Sequence, residues 1–428
     1  MVSFKDLKIG EFKGEFECFC GRTHSIDTEI YFSKNALENL SDIVTKFLPI
    51  GNILYITAKD IREKSRQIER ILYKTHMLNI VEYDSNFKPC LEDVAKLTEV
   101  PDGYLLVISF GSGSITDIAK YYAELKKLPL ISIASAPSNT AYLTDYSEFY
   151  NNGLKIIYNS KSPNALIVDF NLMLGCPKNM IASGFGSVLG SAVALFDWQI
   201  STILTETVMC ENTADLVSAA FENVVSVQDK LINARIDSIE VLTQSLLYIS
   251  VAQKFTMGKL QGAETIIADV LRFLLKEKAP KLQGEVVCLC LSKLIKIYKM
   301  FLNTIATSLL PPADLTGRAE LLAKFAGLSE LHFLELFLQK DDYEHELYIH
   351  KLVEYRDELY NKITVLDKTI NLAQAIFKRI YADKGYFIQN YITAEDFKKA
   401  VYLSPIFSQN FTLLTFMTDL GYFERIIS

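Results

Sequence analysis

The chain has 428 residues, 50% hydrophobic and 22% charged, with 19 Gly and 11 Pro, which excludes disordered, collagen-like and low-complexity classes and leaves room for two or three domains. Lys and Arg number 44 against 51 Asp and Glu, a net charge of −7, so no basic field draws the chain to a phosphate backbone or an anionic lipid, and nucleic acid is not expected as a partner. The seven cysteines, Cys18, Cys20, Cys90, Cys176, Cys210, Cys288 and Cys290, form an odd set without CxxC spacing and read as reduced thiols of a cytoplasmic protein.

The opening MVSFKDLKIGEFKGEF lacks an apolar signal core, and no uninterrupted apolar run reaches the ~18 residues of a membrane span, so neither a targeting segment nor a span is expected. Short runs rich in Ile, Leu and Val then recur at 52–57 (NILYIT), 79–83 (NIVEY), 104–110 (YLLVISF), 130–134 (LISIA) and 165–169 (ALIVD) and predict buried strands. Amphipathic stretches near 34–47, 60–75, 91–98 and 115–127 separate them and predict helices. Strand and helix in alternation predict a mainly parallel sheet covered on both faces. From Lys178 apolar residues recur at three and four, and helices are expected near 178–198, 202–229, 235–255, 261–277, 284–306, 317–326, 329–339, 343–380 and 394–401. The expected division is therefore an α/β domain over 1–177 and an all-helical domain over 178–428.

Chemistry concentrates after the third strand, where YLLVISF runs into Gly111, Ser112, Gly113 and Ser114, and Ile115, Ile118, Ala119 and Tyr122 continue as a helical stripe. Glycines let the backbone turn tightly beside a ligand, and the N–H groups at the start of a helix attract a pyrophosphate. The spacing is not G-x-G-x-x-G, and a short glycine turn by itself is also an ordinary tight connection.

This turn, together with CGRTH at 20–24, SIASAPS at 132–138, NALIVD at 164–169, ASGFG at 182–186, Asp197-Trp198, Gly262-Ala263-Glu264 and the closing TDLGYFE, resembles the sn-glycerol-1-phosphate dehydrogenase family of the iron-containing alcohol dehydrogenase and dehydroquinate synthase superfamily. The resemblance implies a Rossmann-like NAD(P)-binding α/β domain, an all-α C-terminal domain, and hydride transfer between a nicotinamide cofactor and a phosphorylated polyol. It assigns Gly111, Ser112, Gly113, Ser114 and Ile115 to the cofactor pyrophosphate, and Ser135, Ser138 and Thr144 to further cofactor contacts. An acidic residue that would bind the adenosine ribose is replaced by Ala58, followed by Lys59 and Asp60, which leaves NAD against NADP open.

The same resemblance places an Asp and two His metal ligands at positions that here are Ser187, Thr265 and Gln283. Neutral hydroxyl and amide groups do not replace anionic and imidazole donors. Of the substrate-contacting positions, two are replaced, by Thr140 and Asp269, while Lys155 is retained. A relocated metal site is not expected: His24, His76, His332, His345 and His350 are scattered, and Cys288 and Cys290 point to different sides of a helix. The expectation is thus an NAD(P)-binding protein with no metal and a degenerate hydride-transfer site. Its readings are a non-catalytic or regulatory relative that forms a homo-oligomer or partners an active paralogue, a metal-independent oxidoreductase on dihydroxyacetone phosphate or a related polyol phosphate, and a purely structural subunit, against which the glycine turn weighs.

Overall fold

A computed structural model of the chain describes residues 13–84, 88–99, 103–151, 153–258, 260–305, 315–326, 345–382, 392–407 and 410–423. In chain order the first half comprises β1 (Gly14–Glu17), β2 (Thr23–Ile26), β3 (Glu29–Ser33), α1 (Leu40–Phe47), β4 (Gly51–Ala58), α2 (Arg62–Leu72), β5 (His76–Tyr83), α3 (Leu91–Thr98), β6 (Leu106–Gly111), α4 (Gly113–Lys126), β7 (Leu130–Ala134), β8 (Tyr146–Asn151), β9 (Leu154–Asn159) and β10 (Ala165–Asp169). Six of the strands form one sheet in the order β3-β10-β7-β6-β4-β5, parallel at every pairing. The five strands expected from their apolar runs are all in it. The sixth, β3, was not anticipated: EIYFS is only half-buried, as an edge strand is, and carries no continuous apolar run. Two hairpins, β1-β2 and β8-β9, complete the strands.

Alternation along β4 explains how both sheet faces are covered. Ile53 and Tyr55 pack with Leu40, Val44, Ile68 and Leu72 of α1 and α2, whereas Leu54 and Ile56 pack with Val94, Leu97, Ile118 and Tyr122 of α3 and α4. Each such side chain, once fully buried, contributes about 1.5–3 kcal/mol.

Beyond β10 every described element is helical: α5 (Phe170–Met173), α6 (Lys178–Thr205), α7 (Glu211–Leu231), α8 (Ile236–Phe255), α9 (Ala263–Leu275), α10 (Gln283–Thr304), and then Leu315–Ala326, His345–Glu354, Arg356–Ala382, Ala394–Leu403 and Leu413–Asp419. The break expected near 199–201 is absent; α6 continues to Thr205, and the chain turns at Glu206, whose φ is 54°. The helix expected over 329–339, with His332, lies outside the described residues. Among the described residues α6 is the one helix long and apolar enough to cross a membrane, and 72% of its most apolar window is buried inside the protein, as in a core helix.

The chain packs as two compact units, one of Met1–Asn151, Lys155–Val188 and Cys210–Gly258, the other of Asn152–Leu154, Leu189–Met209 and Lys259–Ser428. In the first, the fully buried Lys120 of α4 donates from Nζ to the carbonyls of Ala141 (2.9 Å) and Tyr146 and to Thr144 Oγ1 (2.7 Å), with Asp117 Oδ1 3.4 Å away. Burial lowers the Lys120 pKa and raises that of Asp117, and their mutual attraction opposes both shifts. Lys120→Met removes the cation beside the buried Asp117 and one donor from the Ala141 and Tyr146 carbonyls, and should cost about 3–5 kcal/mol, read from the denaturant midpoint. Adding Asp117→Asn should recover part of that loss, because the two changes share one interaction.

In the second unit Asp197 of α6 joins three other segments. Its Oδ2 accepts from the Ala263 N–H at 2.8 Å, and its Oδ1 accepts from the Tyr298 hydroxyl at 2.8 Å and the Leu413 N–H at 3.0 Å. Glu264 is buried with it, and its Oε2 accepts no hydrogen bond among the described residues. Burial first, and the charge of Asp197 second, raise the Glu264 carboxyl from 4.5 to about 8. Between those values the folded chain binds more protons than the unfolded chain, so this contribution to stability is complete below about pH 4.5 and is lost as pH rises through about 8. Melting temperature should therefore fall from about pH 6 to about pH 9, and Glu264→Gln should flatten that slope; an equally steep fall in the variant would remove Glu264 as its cause.

Candidate functional site

The sheet order carries the first constraint. Successive strands run outward one way through β4 and β5 and the other way through β6, β7 and β10, so the direction reverses between β4 and β6. In open parallel sheets, ligands bind in the crevice outside the carboxyl ends of the strands at such a switch point. The glycine turn stands there: β6 ends at Gly111, Ser112 is the N-cap, and α4 begins at Gly113.

Two adjacent strand ends are tied together at this place. The Gly111 carbonyl accepts from the Ser135 N–H at 3.2 Å and from the Tyr142 hydroxyl at 3.1 Å, and Tyr142 also reaches the Ala136 carbonyl. The glycines have separate reasons. A Cβ on Gly111 would lie 2.5 Å from that of Ile115, which closes the first helical turn onto the strand end. On Gly113 it would meet the Asn139 side chain at 3.2 Å, so glycine keeps the helix start open to an approaching group. Ser112, Gly113 and Ser114 are half-buried, whereas Ile115 is buried in the core.

The structure thus brings Gly111, Ser112, Gly113, Ser114, Ile115 and Ser135 into one constellation. Ser138 is buried close by; its carbonyl accepts from Ser183 Oγ at 3.0 Å, and Gly184 admits the Pro137 carbonyl, which a Cβ would meet at 2.0 Å. The stretch Gly184-Phe185-Gly186 lies inside α6. Thr144 is held differently, its hydroxyl engaged by Lys120 and by the Ala141 and Tyr146 carbonyls. Lys59, after β4, pairs with Asp84 after β5 at 2.7 Å.

Of the remaining expected positions, Thr140, Lys155 and Ser187 belong to the first unit, and Thr265, Asp269 and Gln283 to the second. Lys155 is largely buried and 3.5 Å from Glu148. Thr265 donates its hydroxyl to Glu264 Oε1 at 3.0 Å, and Gln283 donates Nε2 to Asp269 Oδ1 at 3.4 Å. Neutral hydroxyl and amide oxygens are weak donors beside the Asp and two His that the resemblance assigns to a divalent ion, so this set does not match that requirement and does not fit such an ion.

A different donor set does. Cys18 and Cys20 lie in the five-residue turn between β1 and β2, His24 is on β2, and Cys210 is the N-cap of α7. Their four ligand atoms lie within 4.8 Å of one another. Cys18 Sγ is 3.5 Å from Cys210 Sγ, and His24 Nε2 is 3.5 Å from Cys20 Sγ and 3.4 Å from Cys210 Sγ. Burial, then Arg22, lowers the His24 pKa and keeps the ring neutral; burial pushes the Cys210 thiol up to about 12. The sequence held half of the signal, Cys18-x-Cys20 followed by His24, but Cys210 is 186 residues from His24 and no spacing rule reaches it.

Residues 31–177 match the family described as iron-containing alcohol dehydrogenase. The chain is 26% identical over 279 residues to the glycerol-1-phosphate dehydrogenase [NAD(P)+] of Sulfurisphaera tokodaii, covering 63% of this chain and 77% of that protein. To the protein of the same name from Bacillus licheniformis it is 32% identical over 154 residues, 36% of this chain and 38% of that one. Among solved structures, a 1,3-propanediol oxidoreductase shares the fold with a TM-score of 0.59 at 15% identity, over 92% of this chain and 97% of that one. Maleylacetate reductase from Agrobacterium tumefaciens shares it with a TM-score of 0.58 at 14% identity, over 92% and 95%. The expectation of no metal is corrected by two findings: the matching family is described as iron-containing, and the chain assembles a four-donor Cys and His cluster, away from the replaced positions on which that expectation rested. The stretch 31–177 thus carries the match to the iron-containing alcohol dehydrogenase family, the chain is similar over 63% of its length to a glycerol-1-phosphate dehydrogenase, and the solved structures share its fold.

Proposed function

We propose that this protein binds a nicotinamide dinucleotide on the turn from Gly111 to Ser114 and has lost the hydride-transfer step for which its glycerol-1-phosphate dehydrogenase relatives are named, acting as a non-catalytic, regulatory relative. The observation that carries this reading is the state of the replaced positions: Thr265 and Gln283 spend hydrogen-bond donors on Glu264 and Asp269. A carbonyl that accepts hydride develops alkoxide charge, and stabilisation of such charge commonly supplies ~10²-fold or more in rate. Neutral hydroxyl and amide groups already engaged elsewhere do not supply it.

Support for dinucleotide binding comes from the glycine turn at the switch point, where the start of the 14-residue α4 offers its N–H groups and dipole to a pyrophosphate. Lys155 keeps a cation suited to a substrate phosphate, which favours a phosphorylated polyol or ketose as the sensed ligand. As a regulatory relative it would self-associate or pair with an active paralogue in the cytoplasm, where the thiols of Cys18, Cys20 and Cys210 stay reduced.

Calorimetry with NADH and NADPH on the full chain should show binding of at least one of them, weakened at least ~10-fold by Gly113→Val, whose branched side chain blocks backbone approach. Oxidation of either cofactor with dihydroxyacetone phosphate should run at least ~10²-fold below rates typical of dehydrogenases. Turnover at those rates would overturn the non-catalytic reading in favour of a working oxidoreductase. Unchanged affinity in a folded Gly113→Val chain would overturn the placement of the dinucleotide.

A further inference from the structure

We propose that Cys18, Cys20, His24 and Cys210 form a structural zinc site that fastens the β1-β2 hairpin to the N-terminus of α7. The site stands apart from the reading above: Cys18, Cys20, His24 and Cys210 all fall outside the family-matching stretch 31–177. All four residues belong to the first unit.

Geometry comes first. Zinc binds thiolate at ~2.3 Å and imidazole at ~2.0 Å in a tetrahedron, which sets its ligand atoms roughly 3.5–3.8 Å apart. The separations here are 3.5 Å for Cys18 to Cys210, 3.5 Å for Cys20 to His24 and 3.4 Å for His24 to Cys210. Three thiols and one imidazole make a closed, soft donor set, the kind that structural zinc takes, without the open position that a catalytic ion keeps.

The surroundings are built for the same purpose. Gly21, with φ of 77°, and the hydrogen bonds from the Gly21 N–H to the Cys18 carbonyl and from the Cys18 N–H to the Arg22 carbonyl fold the turn so that both of its cysteines face one point. The His24 ring is stacked on Phe255 with centroids 4.2 Å apart, which fixes the direction of Nε2. Asn212 donates Nδ2 to Cys18 Sγ at 3.4 Å, as a supporting partner does to a metal thiolate. The dipole of the 21-residue α7 favours negative charge at Cys210 and offsets the excess of three thiolates over a divalent ion.

A reason for the ion follows from the fold. A two-stranded hairpin is marginal by itself in water, and among the described residues β1 and β2 pair only with each other. An ion held by both the hairpin and α7 ties segments 186 residues apart in the chain.

The test is metal analysis of the full chain, purified without a histidine tag in reducing buffer, followed by replacement of zinc with cobalt(II). About one zinc per chain is expected, with the visible bands of tetrahedral cobalt and a thiolate charge-transfer band of three-sulfur intensity. Cys18→Ser with Cys20→Ser should abolish both, and Cys176→Ser should leave them unchanged. Should the double variant fail to fold, the cobalt spectrum of the natural chain decides alone. The site is overturned by a zinc-free chain that cannot be reloaded, by cobalt bands without thiolate character, by bands that survive in the double variant, or by a Cys18–Cys210 disulfide in protein kept reduced. None of these readouts depends on dinucleotide binding or turnover, so the two proposals stand or fall separately.

Discussion

Burial of the parallel sheet on both faces is the constraint from which the arrangement of the first unit follows. Strands such as β4, β6 and β7 carry apolar side chains in both directions, so helices must cover both sides, and parallel neighbours can be joined only by crossovers. Every crossover delivers the next strand in the same direction. The carboxyl ends therefore gather along one rim, and the reversal of strand order between β4 and β6 opens that rim beside Gly111. The glycine turn owes its position to this topology, and its shape to the closeness of Ile115.

Buried charge organises what the sheet leaves undetermined. Lys120 reaches from α4 to the Ala141, Thr144 and Tyr146 segment, which leads into β8, and supplies a donor to each of their carbonyls. Asp197 does the corresponding work in the second unit, where one carboxylate joins α6 to the start of α9, to Tyr298 of α10 and to the helix beginning at Leu413. In both units a single side chain bonded at several points fixes elements far apart in sequence, and removing it would strand its partners.

The glycine turn and the replaced positions answer to different local constraints in this chain. The residues that shape the glycine turn serve the fold, since Gly111 permits helix packing and Ser135 closes the neighbouring turn. Ser187, Thr265 and Gln283 carry no comparable structural demand for Asp or His: Thr265 and Gln283 settle into local hydrogen bonds with acidic neighbours. The soft Cys and His cluster lies in another part of the first unit, on a hairpin and a helix start, which suits an ion that holds structure rather than one that polarises a substrate.

The sequence by itself determined the five apolar strands, their alternation with helices, the helical character after Lys178, the glycine turn and the replaced residues at the positions assigned to metal ligands, because each is a local pattern of residue type and period. Local pattern has limits that particular residues make plain. It missed β3, whose half-buried residues EIYFS lack an apolar run, and it broke α6 near residue 200, where nothing in the packed chain breaks it. It gave Thr144 no hint of the buried amine of Lys120, which depends on how α4 lies over the turn after Thr140. Only the tertiary structure decided that Cys210 meets Cys18, Cys20 and His24. Proximity across 186 residues is a property of how the chain packs, and a donor set assembled across that distance leaves no spacing to read.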